Sequence, residues 1–202
     1  MKVLVGCEFS GVVRDAFKKK GHDAWSCDIL PTEIEGNHIQ GDVLEILDDG
    51  WDLAIFHPPC TYLCSSGLHW NKRRLGRDKL TNEALEFVQK LLNAPIPRIA
   101  LENPIGCIST RIRKPTQIIQ PWMFGEDASK ATCLWLKGLV KLESTNIIKK
   151  ERYANQTASG QNKLGKSDDR WRLRSTTYFG IASAMANQWE TDSKYPTLDM
   201  FF

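Results

Sequence analysis

The chain of 202 residues has no run of apolar residues long enough to cross a bilayer, which excludes a helical membrane span. Its first residues, MKVLVGCEFSG, hold too short an apolar stretch, and no small-residue cleavage site, for a secretory leader. A cytoplasmic location is therefore expected. No internal repeat is visible. No GxGxxG fingerprint occurs either, which argues against a dinucleotide ligand. Six cysteines are present (Cys7, Cys27, Cys60, Cys64, Cys107 and Cys133), scattered among strong core segments rather than grouped as a disulfide scaffold. The closest two, Cys60 and Cys64, lack the second Cys/His pair of a zinc site. His57 and His69 are the only nearby candidates, and no metal is expected. Net charge is only +3.

The content is that of one globular domain spanning 1–202, with 42% hydrophobic and 25% charged residues. Its charge is uneven. Between 70 and 79, Lys72, Arg73, Arg74, Arg77 and Lys79 face Asp78 alone, and residues 137–175 hold ten Lys/Arg against four acidic residues. Two basic segments on an acidic body suit a polyanion-binding surface, although solvated loops produce the same pattern.

Short Val-rich and Ile-rich runs predict buried parallel strands at 2–7, 23–29, 52–56 and 98–102, with a third short strand within 38–47 and a sixth at 131–136. Helical spacing predicts helices over Val12–Lys19, 82–92 and 178–189, with a peripheral tail after them. Residues 61–80 read as a long functional loop and 140–175 as a polar, basic insertion. Strands alternating with helices imply an α/β fold with a doubly wound, mostly parallel sheet. Ligands bind such sheets at the carboxyl ends of the strands. There the chain places Glu8 to Gly11, Asp28, Asp42, Cys60 and Glu102, each after a successive strand.

Pro58-Pro59-Cys60 ends a buried strand with a rigid turn that holds a thiol at the cleft. A thiolate is a strong nucleophile that needs nearby positive charge, which His57, Arg73 or Arg74 could supply. Glu102-Asn103-Pro104 puts a carboxylic acid at a neighbouring strand end, where it can act as general acid toward a ring nitrogen. Phe9, Ser10 and Gly11 allow backbone to approach a ligand at a helix start. Asp28 is placed to accept from ribose hydroxyls and Asp42 from an adenine amino group, although caps and turns are the commoner use of a single Asp.

These residues, in this order, resemble the cytosine-5 DNA methyltransferases, in particular short members carried by bacteriophages and prophages. EFSG resembles the cofactor loop, DIL and GDV the two acidic cofactor positions, PPC the Pro-Cys nucleophile motif and ENP the Glu-Asn-Val motif. FGIASAMANQW resembles the closing helix. The likeness spans roughly 1–190. It implies a Rossmann-like class I fold and S-adenosylmethionine as cofactor, with Pro58 on the cofactor side. It also implies DNA as partner, with Cys60 adding to carbon 6 of an extruded cytosine while Glu102 assists at ring nitrogen 3. Trp70, Lys72, Arg73, Arg74 and Arg77 would then contact DNA as the 61–80 loop closes. Three features depart from the family. Thr61 stands where Gln is usual, and no large target-recognition domain is present. No Gln-Arg-x-Arg motif occurs, which leaves Arg111, Arg113 or an arginine of 170–174 to substitute. The alternatives are exocyclic-amino methylation, carbon-5 chemistry on a free nucleotide, and a non-catalytic protein that keeps the fold to bind DNA or a partner.

Overall fold

The computed structural model describes residues 1–190; the expected peripheral tail lies outside the described residues. Seven strands form one sheet: β1 (Lys2–Gly6), β2 (Asp23–Asp28), β3 (His38–Gln40), β4 (Leu53–Phe56), β5 (Arg98–Pro104), β6 (Gln117–Ile119) and β7 (Thr132–Lys137). Their order is β3-β2-β1-β4-β5-β7-β6. β1 to β5 are parallel, whereas β7 runs antiparallel to both β5 and β6. The first five positions follow the doubly wound nucleotide-binding order. The reversed β7 departs from the dinucleotide order 3-2-1-4-5-6.

Period-two alternation divides the core. Val3, Val5, Leu53 and Ile55 face α1 (Val12–Lys19) and α6 (Phe179–Gln188), packing with Val13, Phe17, Ile181 and Met185. Leu4, Ala54 and Phe56 face the other side, where α3 (Arg77–Leu92) brings Leu85, Val88 and Leu91. Helices thus cover both faces, and each fully buried side chain of this kind contributes roughly 1.5–3 kcal/mol. α1 ends with Lys18 and Lys19 in its last turn, which suits the helix dipole. Gly21 (φ +81°) then turns the chain into β2.

The outcome differs from expectation in four places. The third strand is confined to His38–Gln40, because Asp42 caps a 3-10 turn at Val43–Ile46. Residues 61–80 are not an open loop: they fold as α2 (Ser65–Leu68), a 3-10 turn (His69–Lys72) and the first turn of α3, which begins at Arg77 rather than residue 82. That first turn is polar and solvent-facing, so it carries no hydrophobic period. β6 was not anticipated, being three residues long and backed only by its pairing with β7. The 140–175 segment forms little regular structure beyond α5 (Arg170–Ser175). No helix among the described residues is long and apolar enough to cross a membrane.

Candidate active site

One half of the carboxyl rim gathers Cys7 to Arg14, Asp28 and Asp42. Glu8 is buried, and its carboxylate accepts from the Val13 N–H at 2.7 Å, the Arg14 N–H at 3.2 Å and the Ser10 hydroxyl at 3.3 Å. It therefore caps α1, where the helix dipole favours an anion. Burial still pushes its pKa up; the charge of His57 and the backbone donors of Val13 and Arg14 oppose that only in part. Gly11 (φ +72°) starts the helix, and a Cβ there would lie 2.6 Å from Arg14 Nη2. Glycine is needed on both counts.

Arg14 itself is fully buried. It donates to Asp15 Oδ1 (2.8 Å), Ser26 Oγ (3.2 Å), Thr32 Oγ1 (3.3 Å), and the carbonyls of Ile34 (2.9 Å) and Glu35 (3.4 Å). These bonds pin the connection after β2 against α1. Asp28 Oδ1 accepts from the Leu30 N–H at 2.9 Å, and Asp42 Oδ1 caps the next turn through the Leu44 N–H at 2.9 Å. Both carboxylates also act on Cys7. Burial pushes its thiol up, and Asp28, Cys27 and Asp42 push it further. The two acids therefore bear on one patch beside the β1 turn.

The other half joins the ends of β4 and β5. Asn103 Nδ2, buried, donates to the Pro58 carbonyl at 2.8 Å and fastens the Pro58-Pro59-Cys60 turn to the neighbouring strand. His57 Nδ1 lies 3.3 Å from Glu102 Oε2. Burial alone would raise the Glu102 pKa, but the His57 contact, the Lys130 ammonium and a hydrogen bond from Thr132 outweigh it and hold the carboxyl below its usual range. Two buried atoms in this half, His57 Nε2 and Asn103 Oδ1, have no hydrogen-bond partner among the described residues.

Cys60 is half-buried, and its thiol is pushed up, first by hydrogen bonding to Cys64, then by burial, with further contributions from the charges of Cys64 and Glu102. Cys64 goes the opposite way. The Cys60 thiol, the Ser66 hydroxyl (3.2 Å), the Gly67 N–H and the Arg174 charge outweigh its burial and lower it to about 5. The backbone holds the pair in place: Cys64 bridges Gly106, with Ser65 N–H on the Ile105 carbonyl and Cys107 N–H on the Leu63 carbonyl. A side chain on Gly106 would collide with Leu63 backbone.

The expected charge donors are arranged differently. His57 serves Glu102 rather than Cys60, while Arg73 and Arg74 lie over the Trp70 ring at 5.8 and 4.6 Å. Lys130 and Arg174 supply the field at the thiols instead. Trp70, Lys72, Arg73 and Arg74 are exposed. Arg77 is engaged within the chain, donating to the Thr61 carbonyl at 2.9 Å and lying 4.8 Å from the Tyr62 ring. Of the arginine candidates, Arg111 donates to Asn82 Oδ1 and its charge bears on Cys107, Arg113 donates to the Leu136 carbonyl, Arg172 pairs with Glu33, and the Arg174 charge bears on Cys64.

α5 spans the two halves. Trp171 packs on the Phe9 ring with centroids 5.5 Å apart, Arg172 pairs with Glu33 at 2.9 Å, and Lys130 Nζ donates to the Arg174 carbonyl at 2.8 Å. Phe9 is thereby nearly buried, its ring in an aromatic pair.

The roles of Asn103, Lys130, Cys64 and Arg14 were not read from the sequence. Arg14 had a signal, since it stands three residues before Phe17 on the apolar face of α1. Asn103 lay inside a motif already singled out. Lys130 comes from a distant segment and had none, whereas Arg174 lies within the 170–174 stretch already offered as a source of the missing arginine. No group of three or more His, Cys, Asp or Glu among the described residues could hold a metal ion.

No family model matches the chain, and no curated protein matches it. Among solved structures it is similar to an E. coli crystal structure described as a "putative DNA modification methyltransferase encoded within prophage". Identity is 16% and the TM-score 0.45, over 72% of this chain and 51% of that one, so the chain spans about half the length of that protein.

Proposed function

We propose that this chain is a class I S-adenosylmethionine-dependent methyltransferase that methylates carbon 5 of cytosine in DNA, with Cys60 as nucleophile and Glu102 as its carboxylate partner. One observation carries the reading. A thiol just beyond β4 and a carboxylate near the end of β5 belong to adjacent paired strands, and the Asn103–Pro58 hydrogen bond fastens the two ends together.

The donor set of the first half fits the cofactor. Asp28 and Asp42 each commit one oxygen to a backbone N–H. The second oxygen of each is the acceptor for ribose hydroxyls and for the adenine amino group. Their joint negative charge also suits a sulfonium. Phe9, Ser10 and Gly11 form the floor at the start of α1, and Pro58 closes the side toward the thiol. Bound there, the cofactor supplies an electrophilic methyl group.

The protein's part follows from its own groups. Cys60 sulfur adds to carbon 6 of the extruded base, and negative charge develops on the ring. Glu102, held as a carboxylate by His57, Lys130 and Thr132, accepts a hydrogen bond from ring nitrogen 3 once that nitrogen has taken a proton from solvent. Once carbon 5 carries the methyl group that the cofactor would supply, loss of its proton to solvent and expulsion of Cys60 restore the ring. Lys72, Arg73 and Arg74 contact phosphates, and Trp70 fills the gap left by the base. Arg77 supports the thiol turn from beneath.

An oligonucleotide carrying 5-fluorocytosine tests this. With S-adenosylmethionine it traps a covalent complex in the native protein and none in Cys60→Ser. Calorimetry with S-adenosylmethionine alone gives binding that Asp28→Asn weakens by about 10- to 100-fold, the loss of one charge-assisted hydrogen bond. Cofactor binding without a trapped complex would favour exocyclic-amino methylation. No cofactor binding by folded protein would leave a non-catalytic DNA-binding role.

A further inference from the structure

The Cys60–Cys64 pair has a chemistry that methyl transfer does not use. Leu63 N–H and Cys64 N–H both donate to the Cys60 carbonyl at 3.0 Å, so residues 60–64 make one helical turn, and side chains four apart on such a turn lie on the same side. Neither side chain is sealed in the core. Side chains four apart on such a turn have Cβ atoms about 5–6 Å apart, and a disulfide needs about 3.5–4.5 Å, so closure asks for a tightening of about 1–2 Å. We propose that Cys60 and Cys64 form a dithiol modification site that a hydroperoxide closes to an intramolecular disulfide, reversibly masking Cys60.

The chemistry balances in two steps. The Cys64 thiolate attacks the peroxide, the O–O bond breaks, and Cys64 sulfenic acid and hydroxide form. The Cys60 thiol then attacks that sulfur, the S–O bond breaks and water leaves. The dithiol loses two electrons, and the peroxide takes them. Cys64 is suited to the first step because Ser66, Gly67 and Arg174 all favour its ionised form. Cys60 is suited to the second because it is the thiol on the same turn, and the proton it releases on attack leaves with the expelled hydroxide as water. Elsewhere in the chain, burial raises the thiols of Cys7, Cys27, Cys107 and Cys133, and the last three are buried, so none offers a comparable attacking thiolate. The disulfide itself is independent of the methyltransferase reading; only its effect on activity rests on that reading.

The test treats the reduced full-length protein with a few equivalents of hydrogen peroxide, blocks free thiols with iodoacetamide, and measures intact and peptide masses. The expected product has lost two hydrogens and two alkylation sites, and dithiothreitol restores both. Chymotrypsin cuts after Tyr62, between the two cysteines, so the bridge appears as two linked peptides. Cys60→Ser should instead accumulate a dimedone-reactive sulfenic acid at Cys64. If both cysteines remain alkylated after peroxide, or if the bridge joins a different pair, the proposal is overturned. Because the readout is mass, failure of the methylation reading leaves this result intact, and the reverse also holds.

Discussion

Glu8, just after β1, and Glu102, in β5, are both carboxylates withdrawn from water beside His57, yet they are displaced in opposite directions. Glu8 rises above the usual range and Glu102 falls below it. Glu8 is ringed by neutral donors, the backbone N–H groups of α1 and the Ser10 hydroxyl. These dipoles satisfy its oxygens without fully replacing the water it lost. Glu102 has His57, Lys130 and Thr132. The same side chain serves the backbone in one half of the rim and faces charged partners in the other. In the first half, Glu8, Asp28, Asp42 and Arg14 are largely committed to caps and turns. In the second, Asn103 and Lys130 each donate to a backbone carbonyl, while His57, Cys60, Cys64 and Glu102 act on one another.

This contrast is open to attack at several points, the largest effect first. Arg14→Leu strips five acceptors of their donor and should cost about 3–5 kcal/mol of stability, measured as a fall in the urea midpoint. A cost below about 1 kcal/mol would mean that the first half does not depend on that guanidinium.

Asn103→Ala should cost about 1–3 kcal/mol and loosen the Pro58-Pro59-Cys60 turn. Asn103→Asp keeps the volume but removes the donor, and it should cost a similar amount. If Asn103→Asp matches the native protein in denaturation, the bond to Pro58 is not what holds the turn.

The two glutamates should separate in the pH dependence of folding. Glu102 is depressed, so its contribution is present above the ordinary carboxylate range and is lost as pH falls through that range toward its folded value. Glu8 is raised, so its contribution is greatest at low pH and declines as pH rises through the ordinary range. Glu102→Gln should therefore flatten the acid-side loss of stability, and Glu8→Gln should remove a decline on the rising side. Melting curves between about pH 3 and pH 7 check both; identical profiles for the two variants would erase the distinction.

The smallest structural effect belongs to the exposed basic segment. Trp70→Ala should change stability by no more than about 0.5 kcal/mol, and under the proposed function it should weaken DNA binding. Lys72→Ala and Arg73→Ala should each lower the slope of log affinity against log salt by about one. Arg77→Ala should instead lower stability, since its guanidinium holds Thr61 and Tyr62. Equal salt slopes for the Lys72, Arg73 and Arg77 variants would contradict that division.

Much of the frame was legible from local pattern. Val12–Lys19 is helical over the span that its apolar spacing predicts, and the runs at β1, β2, β4 and β5 are strands within a residue or two. Both follow from periodicities that the chain carries within a few residues. β6 escaped notice because three residues cannot show a period. The first turn of α3 escaped because its residues face solvent. The placing of Cys60 beyond β4 was also readable, since Pro58-Pro59 marks where that run stops; Asn103-Pro104 does not end β5, which continues through both residues against β7.

What the residues alone determined, then, is which segments are strands and which reactive groups stand at their ends, because burial period and proline geometry act locally. The tertiary structure alone decided how those groups are charged. Lys130 and Arg174 reach the rim from segments remote in the chain; His57 turns to Glu102 instead of Cys60; and Cys64 becomes the more acidic thiol. Electrostatic fields depend on distances in space, and no spacing along a chain encodes them until the sheet has brought its ends together.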